Sequence, residues 1–392
     1  MLRILDSTLR EGEQTPGVCF DVHVKLAIAE LLAAIGVDVI EAGHPAVTEE
    51  IHRAVRVLAG RGLAPLVGAH ARSLEGDVEM ALECGVGFLG IFYCVSETRL
   101  ADRATDLDGA VARITAVIRL AKARKPDLVV RYTPEDAVRS PFENVMTAAA
   151  AACAAGADVI SIADTTGYMI PGTDRSMFDY ITRLRAELAL RGFQPQIAVH
   201  CHNDRGLALA NALDAMRAGA GLIDASVLGL GERAGIVDLG TLLAVLASDF
   251  GLAGRWDLTL LPELYELVSR YARVSVPVNL PVTGRNAFTH CAGVHTQAAV
   301  RNPLHYQSLD PAIVGRAPEI ALDHMAGMAS LRFSLERIGY GDLPDELVRS
   351  LLKRVKEVGE SGRTVDLDEL LLIVRAALER DARADRVERL AS

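Results

Sequence analysis

A closed α/β barrel of eight parallel strands is the fold class this chain predicts, and three observations predict it. Over residues 1–250, short β-rich runs alternate with helix-length amphipathic stretches. The runs number eight in about 250 residues, the count and length of a (β/α)8 TIM barrel. Most of them are apolar on both faces, as strands covered by other layers on each side are. A doubly wound sheet alternates the same elements but usually has fewer strands. No GxGxxG follows the first run, so a dinucleotide fold loses its main support.

In order, strands are expected at 2–5, 37–41, 65–69, 87–93, 128–132, 158–162, 196–200 and 222–227. Between them, 24–35, 110–123, 143–155 and 207–218 carry apolar residues at helical spacing and mostly end near Gly. The catalytic barrel is expected to span 1–275, with 253–275 helical. Residues 276–325 are punctuated by Pro277, Pro281 and Gly284 and read as a linker or lid subdomain. Residues 326–392 read as a small C-terminal helical subdomain, with segments near 326–339, 344–357 and 367–380.

Of the 392 residues, 50% are hydrophobic and 23% charged, which suits a globular protein with a large core. The formal net charge of −10 and the lack of a long basic run argue against a nucleic-acid partner. No apolar run approaches the roughly 20 residues of a membrane helix. The N-terminus lacks the charged, apolar and small-residue regions of a signal peptide. Six scattered cysteines form no CxxC pair and read as reduced thiols, so a cytoplasmic location is expected.

Barrel enzymes carry reactive residues where strands end, at the C-terminal face. Strand 1 runs into Asp6-Ser7-Thr8-Leu9-Arg10-Glu11-Gly12-Glu13-Gln14. Strand 2 ends at Glu41, strand 3 at His70, and strand 5 at Arg131 and Thr133. Asp164-Thr165-Thr166-Gly167 ends strand 6, and His200-Cys201-His202-Asn203-Asp204 ends strand 7. Gly229-Leu230-Gly231-Glu232-Arg233 follows strand 8. Side chains two apart on an extended segment share a face, so His200 and His202 can reach one ion. With Glu11 as a third ligand, that set suits Zn2+, Mn2+, Co2+ or Fe2+, and a water-rich version suits Mg2+. Arg10, beside Glu11, is a candidate for binding a carboxylate bidentately. The alternatives are a hydrogen-bonded histidine pair and a surface Arg–Glu pair.

The Asp6–Gln14 run, the HxHND run and the GxGER run, in this order, resemble the DRE-TIM metallolyase superfamily. Within it they resemble the homocitrate and isopropylmalate synthases, over residues 2 to about 340. That resemblance implies a barrel with a linker and helical subdomain. It also implies Glu11, His200 and His202 as metal ligands, and Arg10 on a 2-oxo acid with Gln14 nearby. Phe288-Thr289-His290-Cys291-Ala292-Gly293-Val294-His295 is similar to the family's F-x-H-x-x-G-x-H segment. His295 with Tyr306 matches a pair that reaches the active site of a neighbouring subunit, which implies a homodimer exchanging its lids. The implied reaction removes a proton from the acetyl-CoA methyl group, with His295 as base and Tyr306 in support. The enolate adds to the metal-polarised ketone and water then hydrolyses the thioester.

His70, Arg131 and Thr133 resemble the homocitrate-synthase pattern and would form a cationic floor selecting an acidic tail such as that of 2-oxoglutarate. Glu41 and Thr165 complete the expected substrate-binding set. Gly235-Ile236 points the same way. The alternative for Arg131 is a structural pair with Glu135 or Asp136. The chain departs from homocitrate synthases at Ala198, where they have Glu, and at His44 in Glu41-Ala42-Gly43-His44-Pro45. Oxaloacetate, a phosphono or phosphino analogue, and 2-oxoisovalerate stay open as substrates. A carbon–carbon lyase and a non-catalytic metal-binding barrel are the competing classes.

Overall fold

The structure, a computed structural model, describes residues 2–292, 295, 296, 298 and 302–391. Eight parallel strands close into a barrel in sequence order. They are β1 (Arg3–Asp6), β2 (Val39–Glu41), β3 (Leu66–Arg72), β4 (Phe88–Cys94), β5 (Val129–Glu135), β6 (Val159–Asp164), β7 (Gln196–Cys201) and β8 (Leu222–Ala225). Pairing of β1 with β8, Leu5 opposite Asp224, closes the ring. Helices Val22–Ile35 (α1), Glu49–Ala59 (α2) and Glu75–Glu83 (α3) follow the first three strands, and the alternation continues around the barrel. The eight expected strands are all present.

Local chemistry explains the element ends. Asp21 caps α1 by accepting from Val24 N, and Thr48 caps α2 by accepting from Ile51 N, each satisfying an amide with no partner inside its helix. Gly36 ends α1 with φ 100°, a left-handed conformation that glycine adopts without a Cβ penalty.

Packing inside the barrel is layered. Leu5, Val39, Phe88, Val159, Ala198 and Leu222, with Leu66 and Val129, form an apolar cluster to which all eight strands contribute. Two residues further along each strand the same face recurs. There stand Ser7, Glu41, Gly68, Gly90, Arg131, Ser161, His200 and Asp224. A charged layer therefore lies directly on the apolar one. Gly90 makes room for it: a Cβ there would come within 3.2 Å of Arg131 Nη2 and 3.3 Å of Glu41 Oε1.

The chain divides into two compact units between Val276 and Pro277. In the second, Thr289–His290 pairs in parallel with Glu319–Ile320. Helices Met328–Arg337, Asp345–Gly359 and Leu367–Ala391 follow. Leu331, Leu335, Val348, Leu351, Val355 and Leu370 are in its core. No described helix is long and apolar enough to cross a membrane.

Candidate active site

Glu11 leaves the β1 loop, and His200 and His202 stand at the end of β7; all three are buried. One ligand atom from each lies within 4.8 Å of the other two. His200 Nε2 is 3.3 Å from His202 Nε2 and 3.9 Å from Glu11 Oε2. Asp224 accepts from His200 Nδ1 at 3.0 Å, which orients the ring and turns Nε2 toward Glu11 and His202. Burial, and then His200, push His202 down to about 4, so His202 is able to ligate. Burial opposes ionisation of Glu11, but Arg10, His200 and His202 outweigh it and hold the carboxyl below its usual range. Two imidazole nitrogens beside an ionised carboxylate fit a divalent cation, which would be held by Glu11, His200 and His202.

Around this trio runs a buried ion network. Arg10 Nη1 pairs with Glu11 Oε2, and Arg10 Nε donates to Glu41 Oε2 at 2.6 Å. Ser7 Oγ donates to that same oxygen at 2.7 Å. Arg131 Nη2 donates to Glu41 Oε1 at 2.9 Å, and Arg131 Nη1 to both oxygens of Asp224 at 2.9 and 2.8 Å. These bonds join β5, β2 and β8 across the barrel interior. Glu41 ionises despite its burial because Arg10 and Arg131 face it. With its amide nitrogen turned toward Glu11, Gln14 donates to both carboxylate oxygens at 3.0 Å.

A cavity of about 240 Å³ opens above the network, lined by Arg10, Gln14, His70, Arg131, Thr133, Thr165, His200 and His202, with His44, Phe92, Glu135, Ala163, Asp224 and Glu232. Glu11 and Glu41 support it from behind through Arg10. His70 stacks flat on Phe92, ring centroids 4.7 Å apart. Burial, then Arg10, hold His70 well below its ordinary value, so it is a neutral hydrogen-bonding group. Thr165 Oγ1 accepts from Asp136 N at 2.9 Å.

The barrel residues expected from the sequence thus converge on one cavity, with two differences. Arg131 does not pair with Glu135 or Asp136: Glu135 faces Arg99 and Arg103, and Asp136 pairs with Arg139. Its partners are Glu41 and Asp224, so the floor is a neutralised network rather than a bare cation. Asp224, which bridges Arg131 and His200, was not singled out from sequence. Its signal was its position on β8, inward-facing like His200 on β7. His295 and Tyr306 lie in the second unit, exposed, with ring centroids 4.4 Å apart.

An eight-stranded parallel barrel with a carboxylate–bis-imidazole cluster beside a buried arginine defines a TIM-barrel enzyme of the HMGL-like class, and the HMGL-like family matches residues 1–268. The homocitrate synthase post-HMGL domain-like family matches 282–363. Homocitrate synthase of Pyrococcus abyssi is 42% identical over 358 residues, covering 91% of this chain and 95% of its own. That of Saccharolobus islandicus (strain L.S.2.15 / Lassen #1) is 37% identical over 397 residues, covering 99% and 84%. In fold, the barrel is similar to the HMG-CoA lyase of Bacillus subtilis, with TM-score 0.60 and 22% identity over 73% of this chain and 96% of that one. The chain belongs to the homocitrate synthase family and is an acyltransferase that condenses acetyl-CoA with a 2-oxo acid.

Proposed function

We propose that the 2-oxo acid has an acidic tail, 2-oxoglutarate or a close analogue, and that condensation is followed by thioester hydrolysis. The observation that carries this reading is a pair of orphaned polar atoms. Arg131 Nε and Thr133 Oγ1 are buried, line the cavity through their side chains, and have no hydrogen-bond partner among the described residues. An unpaired buried donor costs about 1–3 kcal/mol, which a distal carboxylate would relieve and a branched alkyl tail would not.

Charge supports it. The two guanidinium groups of Arg10 and Arg131 face three carboxylates, Glu11, Glu41 and Asp224. Glu135 and Glu232, also at the cavity wall, face Arg99, Arg103 and Arg233, and among the remaining groups a divalent cation reverses the balance and favours an anionic substrate. When bound, the ion (Mg2+, Mn2+, Zn2+ or Co2+) supplies Lewis-acid polarisation of a ketone. Arg10 binds the 2-oxo acid at the reacting end and Gln14 orients Glu11. Arg131, Thr133 and neutral His70 bind the tail, with Thr165 at the cavity wall. His295, with Tyr306 against its ring, is the proposed base for the acetyl methyl proton, working in the cavity of a partner subunit of a homodimer. The new bond joins the acetyl methyl carbon to the ketone carbon. Water then cleaves the thioester, releasing the CoA thiol and leaving the acetyl carbon as a further carboxylate.

Thiol release tests this, with purified protein, Mg2+ or Mn2+, acetyl-CoA and a panel of 2-oxo acids. Turnover with 2-oxoglutarate, oxaloacetate or phosphonopyruvate is expected. Release with 2-oxoisovalerate alone would refute the acidic tail.

A further inference from the structure

The sequence feature that the proposed chemistry leaves unused is His44, on the loop between β2 and α2. Its side chain lines the same cavity as Arg131 and Thr133. Its ring stands edge-on to His70, centroids 6.1 Å apart and planes at 86°. His44 Nε2 bonds Asp77 Oδ2 at 3.0 Å. Asp77, on α3, is held in turn by Arg72, whose Nε and Nη2 donate at 2.7 and 2.9 Å and whose backbone N donates at 3.2 Å.

Two facts distinguish this arrangement from an ordinary loop contact. Arg72 already matches the charge of Asp77, so the bond to His44 serves chiefly to fix the imidazole. The backbone beneath is rigid as well. Gly43 adopts φ 154°, and a Cβ there would come within 2.7 Å of Ile51 and 3.2 Å of Val55. Gly43 O accepts from His70 N at 3.0 Å, and His44 O from Val47 N at 3.0 Å. A side chain held by a locked loop and a clamped carboxylate is preorganised, as a binding group should be.

The cavity also needs such a group. Both terminal nitrogens of Arg131 are engaged by Glu41 and Asp224, leaving Nε–H and one Nη2–H. His70 is neutral. A carboxylate offers about four lone-pair sites, more than the remaining N–H groups of Arg131 and Thr133 Oγ1 fill. We propose that His44, fixed at Nε2 by Asp77, is a further substrate-contacting residue that donates from Nδ1 to the distal carboxylate and so selects acidic over apolar tails. The inference rests on the acidic-tail reading above and deepens it.

The test compares wild type with His44→Phe, His44→Gln and Asp77→Asn, in Mn2+ with acetyl-CoA, on 2-oxoglutarate and on 2-oxobutyrate, which lacks the second carboxylate. His44→Phe should raise KM for 2-oxoglutarate at least about tenfold. The KM values for 2-oxobutyrate and acetyl-CoA, and kcat, should stay near wild type. His44→Gln, which keeps a donor, should recover part of the loss, and Asp77→Asn should fall between. Equal changes for both oxo acids, or none for either, would overturn the role of His44. Wild type that fails on every diacid would overturn the acidic-tail reading itself, and His44's role with it. That outcome is distinct because it shows in the unmodified enzyme.

Discussion

Two layers of the same barrel, two residues apart on the same strands, follow opposite rules. In the lower one Leu5, Val39, Phe88, Val159, Ala198 and Leu222 pack without a polar atom among their side chains. In the upper one Ser7, Glu41, Arg131, His200 and Asp224 occupy the same inward face, and Glu41, Arg131 and Asp224 bond across it. The step between them is only about 6–7 Å of extended chain. Apolar burial stabilises the lower layer by itself, whereas the upper is tolerated only because each charge meets another. Stability and chemistry are therefore written at alternate positions of one set of strands, and substitutions should separate them.

The largest effect belongs to the upper layer. His202→Ala should lower thiol release by roughly 10²–10³-fold or more, the scale of losing a group that stabilises developing charge, while the thermal midpoint stays near wild type. A large drop in midpoint would mean that the histidines serve the fold first. Next comes the one residue on which the two layers should not separate. Arg131→Met removes one of the two guanidinium partners of Glu41 and the only one of Asp224, so it should cost about 3–5 kcal/mol in urea unfolding as well as the diacid substrate. Leu222→Ala, one layer down, should cost about 2–5 kcal/mol while leaving both KM values unchanged. Altered KM would show that the layers are coupled. Thr133→Ala should do the reverse, raising KM for the acidic oxo acid by about fivefold, equivalent to about 1 kcal/mol, with little change in stability.

The smallest effect concerns pH. Burial, then Arg10, depress His70 below its ordinary 6.5. The unfolded chain thus binds a proton that the folded one refuses. The contribution of His70 to stability is full above pH 6.5 and declines as pH falls beneath it. Between about pH 7.5 and 5.5 the thermal midpoint should fall less steeply in His70→Asn than in wild type; equal slopes would assign the fall to other groups.

Much of this was legible from sequence because it depends on short-range periodicity. The eight strands follow from apolar runs, and the HxH pair from the two-residue repeat of an extended chain. Glu11 could be placed with them because it follows β1 at the same end of the barrel. The partners of Arg131 could not be read. Glu41 and Asp224 lie 90 and 93 residues away in sequence, and nothing local marks which carboxylates a barrel will bring to one guanidinium. Proximity in sequence suggested Glu135 and Asp136 instead, but these pair with other arginines, Arg99 and Arg103 in one case and Arg139 in the other. The clamp on His44 was hidden for the same reason: Asp77 lies 33 residues downstream, on a different helix.

Mn2+ titration of chelator-treated protein, reading the free ion by its paramagnetic signal, addresses the three-residue cluster most directly. Wild type should take up a single ion per chain, and Glu11→Gln and His202→Ala should each weaken that uptake by about 100-fold or more. Undiminished uptake in both variants would contradict a cation shared by Glu11, His200 and His202.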